Sequence, residues 1–183
     1  MSIRVEAAAR TRAELVDAGL RLAGRFSLAE LSANRVVAEA GVSKGTFFHH
    51  FPNRVHYLLA LHESFHDRID TEIATAIADL PPGRERLRAA QRAYLDSCLR
   101  NRGVRALLLE ARAERAITDQ IRARNERLAR VAAEDFRAMG WSHPFESALL
   151  WIGLVVEAAL LELEETAAHP AIRAALEQYL TVK

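Results

Sequence analysis

Cysteine is almost missing: Cys98 stands alone in 183 residues. One thiol allows no intramolecular disulfide and lends no support to a secreted setting. The opening MSIRVEAAARTR has no apolar core followed by a cleavage site, so no secretory leader is expected. Long apolar runs are scarce too. The most apolar stretch, residues 148–156, is too short to span a bilayer, and Glu157 interrupts its continuation. The expectation is a cytoplasmic protein without a membrane partner. A glycine-rich phosphate loop, a nucleophile elbow and a dinucleotide fingerprint are all absent. No cofactor is expected, and no catalytic residue is assigned. Net charge is also nearly absent, at +1. The basic charge is unevenly spread, however: residues 1–56 carry eight basic against five acidic side chains, the remainder 17 against 19. A basic end suits phosphate contact.

What is present is helical. A hydrophobic content of 50% suits a compact all-helical chain, or a small domain fused to a larger one. Residues 31–51, LSANRVVAEAGVSKGTFFHHF, hold two short helical patterns separated by a glycine. Ser32 can cap the first, which carries Val36, Val37 and Ala40. Gly41 stops it, because glycine enters a left-handed turn without steric cost. Ser43 can cap a second helix beginning Lys44, Gly45, Thr46. Two helices joined by a short glycine turn make a helix-turn-helix, whose second helix enters the major groove.

AGVSKGTFFHHFPNR resembles the signature of the TetR/AcrR family of transcriptional regulators. The resemblance covers roughly residues 11–58 and keeps glycine, serine, glycine, threonine and the His-Phe pair in register. Two positions depart from it. Phe48 stands where tyrosine is usual, which removes a phenol contact to phosphate. Arg54 stands where lysine is usual and keeps the charge. The resemblance implies an all-α fold of about nine helices. A helix-turn-helix domain over 1–53 would precede an effector-binding and dimerisation domain over 54–183. It implies a repressor that grips a palindromic operator as a homodimer and is released by a small-molecule effector. It also implies that the final helices, 145–165 and 170–180, pair with their copies. With Phe47 and Phe51 turned inward, Lys44, Gly45, Phe48 and His49 should face DNA, with Thr46 beside them. Ser43 caps the helix, Asn34 lies on the preceding one, and Arg54 follows. A two-turn helix of about 10–12 Å fits a groove about 12 Å wide. Lys44 can donate to a guanine edge or a phosphate, while His49 and Arg54 suit phosphate. For each the alternative is an ordinary exposed side chain, and the whole motif favours contact for Lys44, Gly45, Thr46, His49 and Arg54 ahead of Asn34 and Phe48.

The rest of the chain reads as further helices. Thr11-Arg12-Ala13-Glu14 fits a capping box opening a helix that ends near Gly24. The small core should combine Leu15, Val16, Leu22, Leu31, Val36, Val37, Val42, Phe47 and Phe51. Phe26 and Leu28 should join it. Asn53 can cap a long helix running to about Leu80, where Pro81-Pro82-Gly83 breaks the chain. Asn101-Arg102-Gly103 reads as a stop, and Thr118 as the cap of a later helix. Six arginines from Arg112 to Arg130 alternate with acidic residues and read as a solvated face. Tyr94, Cys98, Phe136 and Trp151 are candidates for an apolar effector pocket, though core packing explains each equally well.

One rival motif remains. His62-Glu63-Ser64-Phe65-His66 is a literal H-E-x-x-H, in which two histidines one turn apart can hold zinc for a hydrolase. The extended metalloprotease form needs glycine at 69 and histidine at 72, where the chain has Ile69 and Glu72. The two histidines are more simply polar residues of a long helix, with a regulatory metal or effector contact as a middle possibility.

Overall fold

The structure, a computed structural model, describes residues 3–181. The all-helical expectation is met. The described residues form α1 (Ile3–Ala23), α2 (Ala33–Ala40), α3 (Lys44–His50), α4 (Arg54–Ile77), α5 (Arg84–Arg100), α6 (Arg102–Glu110), α7 (Arg115–Ala138), α8 (Pro144–Glu165) and α9 (Pro170–Tyr179). A single 3-10 turn, Ala111–Ala113, separates α6 from α7. No strand occurs among the described residues. They gather into two compact units. One holds the chain up to His66 together with Gly103–Thr118, and the other holds Asp67–Arg102 together with the chain from Asp119 onward.

In the first unit α1 begins well before the expected capping box. Residues 3–10, IRVEAAAR, are alanine-rich and helix-favouring, so the helix is already running at Thr11. The Thr11 hydroxyl donates back to the Ala7 carbonyl at 3.1 Å instead of capping. Ser32 caps α2, its side chain accepting from the Arg35 N–H. Gly41 closes α2 with φ 68°. The Val42 N–H then bonds the Val37 carbonyl at 3.1 Å, which completes a left-handed C-terminal cap. Leu15, Val16, Leu22, Leu31, Val36, Phe47 and Phe51 are buried as expected. Val37, Val42, Phe26 and Leu28 are half-buried at the rim. Phe26 spends its ring on a cation: the Arg35 guanidinium lies 4.2 Å from its centroid.

Asn53 does cap α4, accepting from the His56 N–H at 3.0 Å. The helix stops at Ile77, and the Leu80 N–H turns back onto the Ile77 carbonyl. Pro81 accounts for this, since a residue before proline is pushed out of helical geometry. The expected stop at Asn101-Arg102-Gly103 is present, since α5 ends at Arg100 with Asn101 as its cap, but Gly103 itself lies in the first turn of α6. A Cβ there would sit 2.6 Å from Gly24 Cα, so the glycine serves a close backbone approach. Thr118 is not a cap, since α7 has already started at Arg115. Its hydroxyl donates to the Arg112 carbonyl.

The second unit is centred on α8. Ser147, Ala148, Trp151, Ile152, Val155, Ala158, Ala159 and Glu162 are its buried residues, at helical spacing. By length and composition α8 would pass for a membrane span. Yet Glu162 is buried, accepting from Arg173 Nε at 2.6 Å, Arg173 Nη2 at 2.9 Å and the His169 N–H at 2.9 Å. Burial alone would raise the Glu162 pKa. The bonds from Arg173 and His169 outweigh it and hold the carboxyl below its ordinary range. The opposite face of α8 leaves Leu150, Leu154 and Leu161 exposed, Leu150 by 65%. Of the six arginines, Arg115, Arg122, Arg127 and Arg130 are exposed, and Arg112 is half-buried. Arg124 breaks the expectation of a solvated face, being buried and paired with Asp70.

Candidate nucleic-acid interface

The recognition segment is a seven-residue helix with two unlike sides. Ser43 starts α3, its hydroxyl accepting from the Thr46 N–H at 3.1 Å and lying 2.8 Å from Thr46 Oγ1. Phe47 and Phe51 face inward and are buried. Lys44, Gly45, Phe48 and His49 are exposed, Phe48 by 46%, while Thr46 is half-buried. Ser43, and Asn34 in the first turn of α2, are exposed as well. So exposed polar groups and one bare ring lie opposite the aromatic anchors. His50 is half-buried, and its pKa is pushed below the ordinary histidine value, first by burial, then by the charges of His49 and Arg12. It is therefore neutral at neutral pH.

The support behind α3 includes a residue that the sequence did not single out. Tyr57 of α4 is buried, with its ring 5.0 Å from both Phe47 and Phe51. Its hydroxyl donates to the Leu15 carbonyl of α1 at 2.8 Å. Burial pushes the phenol pKa well above its ordinary value, so it stays a donor at every working pH. One side chain thus ties α1, α3 and α4 together. Gly19 makes room for it: a Cβ there would fall 2.1 Å from the Tyr57 hydroxyl oxygen.

Two charged clamps set α2 and the turn before it. Glu39 accepts from Arg21 Nε at 2.9 Å and Arg25 Nη2 at 2.7 Å, tying α2 to α1. These hydrogen bonds, from Arg21 first, lower the Glu39 pKa. Arg54 donates to the Leu28 carbonyl, while the Leu28 N–H donates to Glu110 Oε2 at 3.1 Å. Arg54 therefore holds the turn from inside the unit, with the rest of its exposed guanidinium on the surface. Glu110, at the end of α6, was legible only as one acid among many.

In the second unit a largely apolar cavity admits the centres of water-sized molecules over about 110 Å³. Ile73, Leu128, Ile152 and Val155 are among its wall residues, with Tyr94 and Trp151. Cys98 and Phe136 are buried but form no part of that wall. The Trp151 N–H donates to Gln91 Oε1 at 3.1 Å, and the Gln91 amide donates to Glu177 at 3.2 Å. Asp135 accepts from Arg86 Nε at 2.6 Å, Arg86 Nη2 at 2.9 Å and the Gly83 N–H at 2.8 Å. The Asp135 carboxylate in turn raises the Arg86 pKa.

The H-E-x-x-H residues part company. His62 and His66 are buried with ring centroids 4.3 Å apart, whereas Glu63 is exposed. Among the described residues no third histidine, cysteine or acid joins them in a group able to hold a metal.

Against known proteins, residues 15–61 match the family model of bacterial regulatory proteins, tetR family. No curated relative matches the chain. Solved structures do. A transcriptional regulator from Rhodococcus sp. RHA1 is 20% identical, with 93% of this chain and 94% of that one covered and a TM-score of 0.79. The multidrug binding protein EbrR, solved with imidazole, is 21% identical over 94% and 96%, with a TM-score of 0.74. RolR, solved with resorcinol, is 17% identical over 98% and 91%, with a TM-score of 0.69. At these identities the likeness is one of fold, and it extends over nearly the whole chain.

Proposed function

We propose that the chain, whose residues 15–61 match the family model of bacterial regulatory proteins, tetR family, is a ligand-responsive DNA-binding transcription regulator of that family. It acts as a repressor, holding a palindromic operator as a homodimer and leaving it when a small-molecule effector binds. The observation that carries this is the two-sidedness of α3. Phe47 and Phe51 are spent on the core, which leaves Lys44, Gly45, Phe48 and His49 outward along a helix of about 10 Å. That matches what a major groove about 12 Å wide admits. Lys44 reads a base edge or phosphate, Gly45 permits close approach, and Phe48 meets a thymine methyl or sugar. His49 and Arg54 take phosphates, with Asn34, Ser43 and Thr46 alongside. On this reading residues 1–53 bind DNA and 54–183 bind effector and dimerise.

One recognition helix buries too little surface to be selective, so two half-sites are read by a dimer. Exposed Leu150, Leu154 and Leu161 of α8 suit its seam, with α9 alongside. The cavity of the second unit suits the effector, as does the presence of small ring compounds in EbrR and RolR. The protein works in the cytoplasm and is not an enzyme. His62 and His66 pack in the core while Glu63 points to water, an arrangement that suits structure rather than zinc hydrolysis.

The test is fluorescence anisotropy with labelled DNA flanking the protein's own gene, at fixed salt. Lys44→Ala should keep its helical circular dichroism and bind roughly fivefold or more weakly, about 1 kcal/mol. Unchanged affinity, or no sequence-selective binding by the unaltered protein, overturns the reading.

A further inference from the structure

We propose that the cavity of the second unit takes an apolar monocarboxylic acid whose carboxylate is read by Arg124. For what binding does to DNA, this rests on the regulator reading above; the binding itself does not. The argument is one of elimination among the nitrogen-bearing and carboxylate side chains of the wall. Trp151 has spent its N–H on Gln91, and Gln91 its amide on Glu177. Asp135 and Arg86 close on each other, with the Gly83 N–H completing the carboxylate. Arg124 is different. It lines the cavity, is 8% exposed, and pairs through Nη2 with Asp70. Its Nε, fully buried, has no hydrogen-bond partner among the described residues. A buried N–H without an acceptor is a standing cost that a ligand oxygen would remove once the side chain turns that N–H into the cavity it borders.

Charge points the same way. Asp70 faces two guanidiniums, Arg124 and, at 3.9 Å, Arg127. One carboxylate for two arginines leaves positive excess at this point of the wall. An ammonium would meet that excess with no uncommitted carboxylate to receive it, since Asp135 already accepts three hydrogen bonds. A polyol would find too few donors and acceptors. A phosphate dianion would want more donors than one buried N–H supplies. The remaining wall, including Ile73, Leu128, Ile152 and Val155, asks for a hydrocarbon or aromatic body. A single anionic oxygen pair on such a body satisfies both parts.

Isothermal titration of the full chain without DNA tests this, using octanoate and benzoate against 1-octanol and benzyl alcohol. At least one acid should bind tenfold or more tightly than its matched alcohol. Arg124→Met should weaken that acid at least tenfold and leave the alcohol unchanged. Asp70→Asn, which frees Arg124 from its competitor, should tighten it, and it keeps the proposal testable if Arg124→Met fails to fold. Binding of neither acid, alcohols as tight as acids, or acid affinity unmoved in both variants overturns the proposal. DNA anisotropy on the same preparation separates the two readings. Operator binding without acid binding overturns this one alone, and acid binding without operator binding sustains it while overturning the regulator.

Discussion

The contact between Gly19 and Tyr57 can be tested as a closed cycle. Gly19→Ala places a methyl 2.1 Å from the Tyr57 hydroxyl oxygen and 2.8 Å from Leu61 Cδ2. Overpacking of this kind costs about 1–3 kcal/mol, against up to about 1 kcal/mol gained in helix propensity. Tyr57→Phe removes the hydroxyl and its bond to the Leu15 carbonyl, at about 0.5–1.5 kcal/mol. If the two changes were independent, their costs would add. They share one atom, so they should not. With the hydroxyl gone, the new methyl meets Leu61 Cδ2 at 2.8 Å, the end of a flexible side chain that can yield, and the ring Cζ of residue 57 at 3.0 Å, in place of an oxygen at 2.1 Å. The double variant should therefore be less destabilised than the sum by about 1 kcal/mol or more. Urea unfolding followed by circular dichroism supplies the four free energies, read from the first transition of this two-unit chain. Additivity within about 0.3 kcal/mol would show that the hydroxyl is not what fills the space over Gly19.

Two further outcomes follow from the second unit. Glu162 is held below the ordinary carboxylate range, so the stability it contributes is present above that range and is lost as pH falls through its lowered folded value. Glu162→Gln should cost roughly 3 kcal/mol at neutral pH, the low end of what breaking a buried pair costs, because Arg173 keeps Asp96 at 2.6 Å. Its acid limb should also be flatter than that of the unaltered protein; thermal melts from pH 7 down to 3 read both, and parallel curves would refute the linkage. Leu150→Glu combined with Leu154→Glu places charge on the exposed face of α8 and should give a monomer in sedimentation velocity with much weaker operator binding. An unchanged mass would refute the proposed dimer through this face of α8.

Local rules made the helix-turn-helix segment readable. Ser32, Gly41, Ser43 and Asn53 cap as their residue types and spacing say, because a cap involves only groups three or four residues away. What the sequence concealed depends on distance along the chain. Gly103 carries the look of a helix stop, but the reason for it is Gly24, 79 positions earlier. Tyr57 reads as one more apolar residue of a long helix until α1 and α3 close around it. Arg124 is lost among five other arginines, and its partner Asp70 lies 54 residues before it. Cys98 and Phe136 illustrate the converse: burial is legible from residue type, but which buried residues border empty space depends on packing that no periodicity records.

The approach of α6 to the end of α1 is backbone on backbone. A Cβ at Gly103 would find not only Gly24 Cα but also the Ala23 carbonyl oxygen, at 3.0 Å. Elsewhere in a protein, small shifts between helices are taken up by side chains hopping between rotamers. Here no such cushion exists, and a backbone has few soft torsions with which to yield. Glu110, at the other end of α6, reaches the Leu28 N–H. The helix is thus pinned at both ends to the segment that leads into α2. A displacement of α6 toward α1 cannot be absorbed at its first turn and must push Gly24 ahead of it, so this junction transmits compression rigidly rather than as a spring.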